Sequence, residues 1–477
     1  MSSRFGGIPI GAVAHHAAGT PRVSHRWDKK PLPPASDRHA LSTEGSPIFV
    51  GHFLMNPILP STNAFTDAMP PVLPTHEECP VTLRMLVPPQ AEKTNETPQS
   101  TVRVLHIVNG EHFSGAERVQ SHLGRCLPAT GVTADFVCVK PGRFAEMLDE
   151  RSNLPSGENW GRGYRIKMRG RWDLFQSKRL AEIVQRENYD IIHAHTPRTA
   201  MLAAAASRLS QTPWVYHVHS PAARDCERML SNRINAFIER RSLRNCSHLV
   251  CVSNSLREEL IRTGHSPDRV TVVHNGVPAI RPARTQRPVV GGPWTIGMIA
   301  LMRNRKGLEV VLDALARVRQ RGHDVTLRCI GPFETDAYRN KIDRQISELE
   351  LGPHVDWVGF TNNVPGELAR LDAMVLPSLF GEGLPMVVLE AMAAAVPVIA
   401  TRVEGTPEAI DHGVEGLLAE PRNPDSLAEQ IEALVTGQLD WETMAEAAAT
   451  RHGEQFSDQA MSRNTAELYR RILVASK

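Results

Sequence analysis

At 477 residues, with 41% hydrophobic content and a formal net charge of +2, the chain has room for two or three domains and a large buried core. The near balance of 54 basic and 52 acidic residues gives no bulk case for a nucleic-acid partner. Seven scattered cysteines (79, 126, 138, 226, 246, 251 and 329) form no CxxC pair, which argues for free thiols, and no run of 18 apolar residues exists to span a bilayer.

Residues 1–100 are rich in Pro, Ser, Thr, Gly and His without sustained periodicity, the pattern of a disordered low-complexity extension. The apolar patch 47–59 reads as part of that tail or as a docking segment. The first residues lack a basic stretch followed by an apolar core, so no signal peptide is expected; a translation start at Met85 stays open.

From Thr101 strands and helices alternate. VRVLHIV (102–108) reads as a buried strand, and the turn Ser114-Gly115-Ala116 opens a helix. Strands follow at 132–139, 189–195, 212–220, 248–253 and 270–277, with helices expected over 172–187, 198–209 and 227–243. A Pro/Arg/Gly connector spans 278–293. A second series has strands at 294–300, 325–331, 355–360, 373–378 and 398–400, and a helix over 458–474 closes the chain. Such alternation predicts an α/β protein with two Rossmann-like, doubly wound parallel sheets. Ligands of these sheets sit beyond the carboxyl ends of the strands, which singles out His195, His219, Ser253 and Asn275–Gly276.

The most informative stretch is 380–408, FGEGLPMVVLEAMAAAVPVIATRVEGTPE. Gly381 and Gly383 give a loop close to a ligand its backbone freedom. The helix that follows, placed at 386–394 with Leu384 as N-cap and Pro385 at its first position, is apolar on every side except at Glu390. Its poorly capped N-terminus is a ready anion site. Glu382 and Glu390 would lie about 12 Å apart on continuous helix, too far for a glycosidase-type pair at about 5 Å. Two readings stay open: contacts with the sugar and ribose ends of one extended ligand, or a backbone-bonded Glu390 beside a solvated Glu382.

GEGLPMVVLEAMAAAVPVIAT resembles the signature of the retaining family-4, or group 1, glycosyltransferases of the GT-B fold, and weaker motifs carry the resemblance from about Val102 to the C-terminus. It implies an acceptor-binding lobe over 101–285, a nucleotide-sugar donor lobe over 286–456, and a last helix, 457–477, crossing back to the first lobe. It also implies metal-independent transfer of a sugar, with retained configuration, from a nucleoside-diphosphate sugar to a glycan, lipid-linked or small-molecule acceptor. The setting implied is cell-surface polysaccharide or glycolipid synthesis, with no cofactor beyond that co-substrate.

Residue by residue, Lys306 and Gly307 match the family's Lys-Gly, whose ammonium holds the donor diphosphate. A departing diphosphate gathers charge that fixed cations and helix amides must meet. The resemblance gives Glu382 the donor sugar, Glu390 the ribose hydroxyls and His219 the sugar or acceptor. Gly383, Leu384 and Pro385 form the helix entry, Gly405 and Thr406 offer amides to the phosphates, and Gly359 with Phe360 and Gly331 walls the base. Ser114, Gly115 and His195 fall on the acceptor side. The family's arginine five or six residues before the lysine is replaced by Leu301 or Ala300, leaving Arg303 or Arg305 as substitutes.

Plainer readings stand beside these: strand-end histidines bonded to backbone, and RNRK (303–306) as a solvated helix entry. The missing arginine raises the alternative of a sugar-nucleotide-binding protein without catalysis. Charge is uneven, about +10 over 101–285 and about −8 over 286–477. Arg162, Arg165, Lys167, Arg169 and Arg171, and then Arg228, Arg233, Arg240, Arg241 and Arg244, form basic clusters. They raise the reading of a cytoplasmic protein peripheral to an anionic membrane, against that of a solvated face. There is no Asp-x-Asp, no phosphate-loop GxxxxGK[ST] and no His/Cys run with ligand spacing, so no metal is expected.

Overall fold

The computed structural model describes residues 101–111, 115–152, 161–170, 173–220, 240–280 and 288–475. The extension expected over 1–100, most of the basic helix expected over 227–243, and Ser114 lie outside the described residues.

Two parallel sheets organise the rest. The first holds β1 (Val102–Val108), β2 (Val132–Cys138), β3 (Gly163–Arg165), β4 (Ile191–Ala194), β5 (Trp214–Val218), β6 (His248–Cys251) and β7 (Val270–Val272). The second holds β8 (Trp294–Ile299), β9 (Val325–Ile330), β10 (Val355–Gly359), β11 (Ala373–Leu376), β12 (Val398–Thr401) and β13 (Gly416–Ala419). The strand orders, β3-β2-β1-β4-β5-β6-β7 and β10-β9-β8-β11-β12-β13, both reverse beside their first strand. Those reversals, between β1 and β4 and between β8 and β11, are the switch points where a doubly wound sheet opens a crevice.

Local chemistry explains the elements. Every residue of β4, β11 and β12 is buried, as expected for strands covered on both faces. The helix Pro197–Ser210 starts at a reciprocal cap: the Thr196 hydroxyl accepts from the Thr199 amide, and the Thr199 hydroxyl accepts from the Thr196 amide at 2.9 Å. Gly307 enters the helix Leu308–Gln320 at φ +72°, where an added Cβ would lie 2.0 Å from the Pro377 carbonyl. Only glycine fits that approach.

The helix Asp458–Ala475 packs on the first sheet: Leu468, Tyr469 and Ile472 share a buried cluster with Val102, Val104, Leu123 and Val132. Asp458 pairs there with Arg125. The second sheet has its own core, in which Trp294, Ile296, Leu312 and Leu327 meet Leu427, Ile431 and Trp441. The helices Pro424–Val435 and Trp441–Arg451 that supply those last residues, and the short strands β3 and β13, go beyond the elements expected from sequence.

Candidate active site

A cavity of about 730 Å³ opens between the two sheets' switch points, within the range of small-molecule sites. Gly115, Arg118 and His219 reach it from the first lobe, and Arg305, Lys306, Glu382 and Glu390 from the second.

The loop after β11 carries the charge. Glu382 is buried, and it accepts from the Lys306 ammonium at 2.5 Å, the Ser378 hydroxyl at 2.6 Å and the Arg305 guanidinium at 3.4 Å. Burial alone would raise its pKa, but Lys306, Arg305 and Ser378 together hold it below the usual carboxylate value. Burial lowers the Lys306 pKa, and the Glu382 charge opposes that. Arg305 also donates to the carbonyls of Gly381, at 3.1 Å, and Phe380, pinning the glycine loop beneath the cavity. Arg303 turns toward Glu334 at 3.5 Å and does not line the cavity, whereas Leu301 and Ala300 do.

The helix Met386–Ala393 begins where expected, but its N-cap is Pro385 rather than Leu384, because the Pro385 backbone is extended, with ψ at 115°. No side chain caps it, and Gly383, Leu384 and Pro385 line the cavity at its mouth. Gly383 lies so close to the His219 carbonyl that an added Cβ would sit 2.2 Å from it, so glycine here lets the two lobes touch. Glu390 lines the cavity and is not bonded to backbone. It is buried and paired with Arg118, which reaches across from the helix Gly115–Cys126 of the opposite lobe.

Gly405 and Thr406 do not offer their amides to the cavity. The Gly405 amide donates to the Glu382 carbonyl at 3.0 Å and the Thr406 amide to Val403 at 3.0 Å, because the short helix Thr406–Ala409 folds back under the loop. Its Glu408 instead accepts from the amides of Asn254 and Ser255 at 2.6 and 2.8 Å, a second tie between lobes. Of the expected base wall, Gly331 and the exposed ring of Phe360 line the cavity. Gly359 stands behind them, its carbonyl accepting from the Gly331 amide at 2.7 Å.

His219 lines the cavity; His195 does not. His195 is buried behind it, its Nδ1 3.2 Å from His219 Nε2 and its Nε2 3.0 Å from His106 Nδ1. His195 thus meets His219 rather than the cavity. His193 joins the group through Tyr469, whose hydroxyl lies 2.6 Å from His193 Nδ1, and His217 stacks on His219 with ring centres 4.2 Å apart. Burial depresses all these imidazoles, His106 to about 3 and His219 to about 4, so they are neutral near pH 7.

The sequence shows no metal-ligand spacing, yet the sheet gathers two imidazole triplets: His106, His193 and His195, and His195, His217 and His219, with nitrogens within 4.8 Å. The ligand-spacing rule misses them because the residues come from three strands. Within the triplets, the rings of His195 and His219 and of His106 and His195 lie within 20° of parallel and are already bonded nitrogen to nitrogen.

The second lobe matches the family model described as glycosyl transferases group 1 over residues 293–437, and the first matches glycosyltransferase family 4 over residues 113–281. The chain belongs to the group 1, family 4 glycosyltransferases. A glycosyltransferase of Methanocaldococcus jannaschii is 26% identical over 366 residues, covering 70% of this chain and 90% of that one. The Escherichia coli UDP-Gal:alpha-D-GlcNAc-diphosphoundecaprenol alpha-1,3-galactosyltransferase is 24% identical, covering 70% and 88%. Among solved structures, Anabaena HepE in complex with UDP aligns with a TM-score of 0.65 at 20% identity, over 78% of this chain and 100% of that one. A glycosyltransferase from Rickettsia africae aligns with a TM-score of 0.65 at 21% identity, over 79% and 99%. The fold of this glycosyltransferase is thus GT-B, and no helix among the described residues is long and apolar enough to cross a membrane.

Proposed function

We propose that this glycosyltransferase takes a sugar from a nucleoside-diphosphate sugar bound on its second lobe and passes it, with retained configuration, to an acceptor entering along the first. The observation that carries the reading is the buried Lys306–Glu382 pair on the cavity wall, beside Arg305 and an uncapped helix N-terminus. Cations and amides fixed at one spot suit a diphosphate whose charge grows as its bond to the sugar breaks. The acceptor oxygen attacks the anomeric carbon on the face the diphosphate leaves. The carbon–diphosphate bond breaks, and the acceptor proton moves to the departing phosphate oxygen. No protein nucleophile is needed. Glu382 orients the sugar, Glu390 the ribose, and His219 the sugar or acceptor from the opposite wall.

The E. coli relative acts on a diphosphoundecaprenol-linked sugar, which supports a glycan or lipid-linked acceptor here. In the first basic cluster Arg162 and Arg165 are exposed but pair with Glu187 and Asp149, so a peripheral membrane contact would draw on the exposed Lys167 and Arg169. Exposed pairs of this kind are already close to neutral toward a bilayer.

The test is to incubate purified protein with UDP-, GDP- and ADP-sugars, measure donor hydrolysis and transfer, and assign the product anomer by NMR. Transfer with the donor's own anomeric configuration supports the proposal. Nucleotide-sugar binding without turnover would mark a binding protein, and an inverted product would overturn the front-face step.

A further inference from the structure

Arg118 is the unexpected member of the cavity. It sits on the first lobe, reaches over the cleft, and ends on Glu390, the residue proposed to hold the donor ribose. The pair is largely withdrawn from water: the Arg118 side chain keeps 30% of its exposure and Glu390 only 4%. A carboxylate so buried needs a partner, and removing the partner without replacement is costly. Any ligand that engages Glu390 must therefore supply its own donors and displace the guanidinium.

Vicinal ribose hydroxyls are such donors. Each offers an O–H to the carboxylate, and the two together match its two oxygens. The displaced guanidinium would then be a buried cation without a partner, in a cavity shared with Lys306 and Arg305. Both of those already serve Glu382, and Arg305 also serves two loop carbonyls. Arg303 is engaged with Glu334 outside the cavity. A diphosphate bound here finds its nearby cations partly neutralised by Glu382, which leaves a clear place for one more. The fork of a guanidinium suits phosphate oxygens.

We propose that Arg118 is a further diphosphate-binding residue beside Lys306 and Arg305, held on Glu390 until ribose takes its place and then handed to the phosphates. The exchange is a two-position switch whose arms lie on opposite lobes, so the nucleotide itself draws the lobes onto the diphosphate. It rests on the ribose assignment of Glu390, and it makes Arg118 a ligand of the donor phosphates rather than a static strut.

The test compares a nucleoside, its diphosphate and inorganic pyrophosphate by calorimetric titration of the full chain, using the base selected from UDP, GDP and ADP. In Arg118→Met the diphosphate should bind about 10- to 100-fold more weakly, as for a lost charged hydrogen bond. The parent nucleoside should bind at least as tightly as to wild type, because Glu390 no longer has to be freed. Arg118→Lys should recover part of the diphosphate loss. In Glu390→Gln, pyrophosphate should bind several-fold more tightly than to wild type, because Arg118 is released without any ribose. This variant keeps the shape of the buried site and serves if Arg118→Met fails to fold. Equal losses for nucleoside and diphosphate in Arg118→Met, no change in either, or pyrophosphate binding unchanged in Glu390→Gln would each overturn the switch while leaving the donor site standing. A wild-type protein that binds no nucleoside diphosphate would overturn the proposed function and the switch together.

Discussion

Both sheets run in the same order about their first strand, yet they meet the cleft with different chemistry. The second lobe presents charge: Lys306, Arg305 and Glu382 converge on a glycine loop and a bare helix end. Its first-lobe counterpart is mainly a neutral array, five imidazoles packed against one another in and just after β1, β4 and β5, of which His219 reaches the cavity beside Gly115, Arg118 and Asn275. One topology thus gives a wall rich in fixed charge and a wall of neutral imidazoles with a single cation among the described residues, Arg118, at the cavity. The crossing pair Arg118–Glu390 is where the two chemistries meet.

The largest way to sharpen that contrast is to remove charge from the second lobe. Lys306→Ala should lower kcat about 10²- to 10³-fold, the scale for losing one fixed donor to transition-state charge, with a smaller effect on donor KM. An unchanged kcat in steady-state assays would place the diphosphate elsewhere.

Acid should act on the first lobe instead. Its imidazoles have folded pKa values depressed below 6.5, to about 4 for His219 and about 3 for His106. Below pH 6.5 the unfolded chain therefore takes up protons that the folded chain refuses, and stability falls as pH falls toward 4. The slope of unfolding free energy against pH over 6 to 5, from denaturant melts, should exceed that of a single proton. A shallow slope would mean that the array is protonated or hydrated in the folded state.

How much of this was legible in the sequence differs between the lobes for the same reason. The run of glycines, proline and two glutamates at 381–390 is local, so its loop and helix could be read from spacing. Eleven of the thirteen strands are expected from the sequence, while β3, whose GYR is exposed at both ends, and β13, whose GLLA has no β-branched or aromatic residue, carry no strand signal. The histidine array and Arg118 are invisible to spacing because parallel pairing creates them. Register sets His106 beside His193, and Arg118 and Glu390 are 272 residues apart. Likewise, Gly405 and Thr406 look like phosphate donors until the chain folds their amides onto Glu382 and Val403.

A smaller effect belongs to Glu390. Its change to Gln should weaken binding of the parent nucleoside by about 1–3 kcal/mol, the range for a charged hydrogen bond. Titration calorimetry measures that directly, and no loss would remove the ribose assignment. The smallest effect expected is that of a chelator: with the diphosphate met by Lys306, Arg305 and a helix end, turnover should survive EDTA. Activity lost and then restored by a divalent ion would instead give the histidine array a metal.

Hydrogen–deuterium exchange with and without the preferred nucleoside diphosphate asks which wall holds the donor. Protection is expected over residues 301–308 and 378–390, with little change over 191–195 and 214–219. Protection confined to the histidine strands, with the glycine loop and Lys306 segment unchanged, would contradict it.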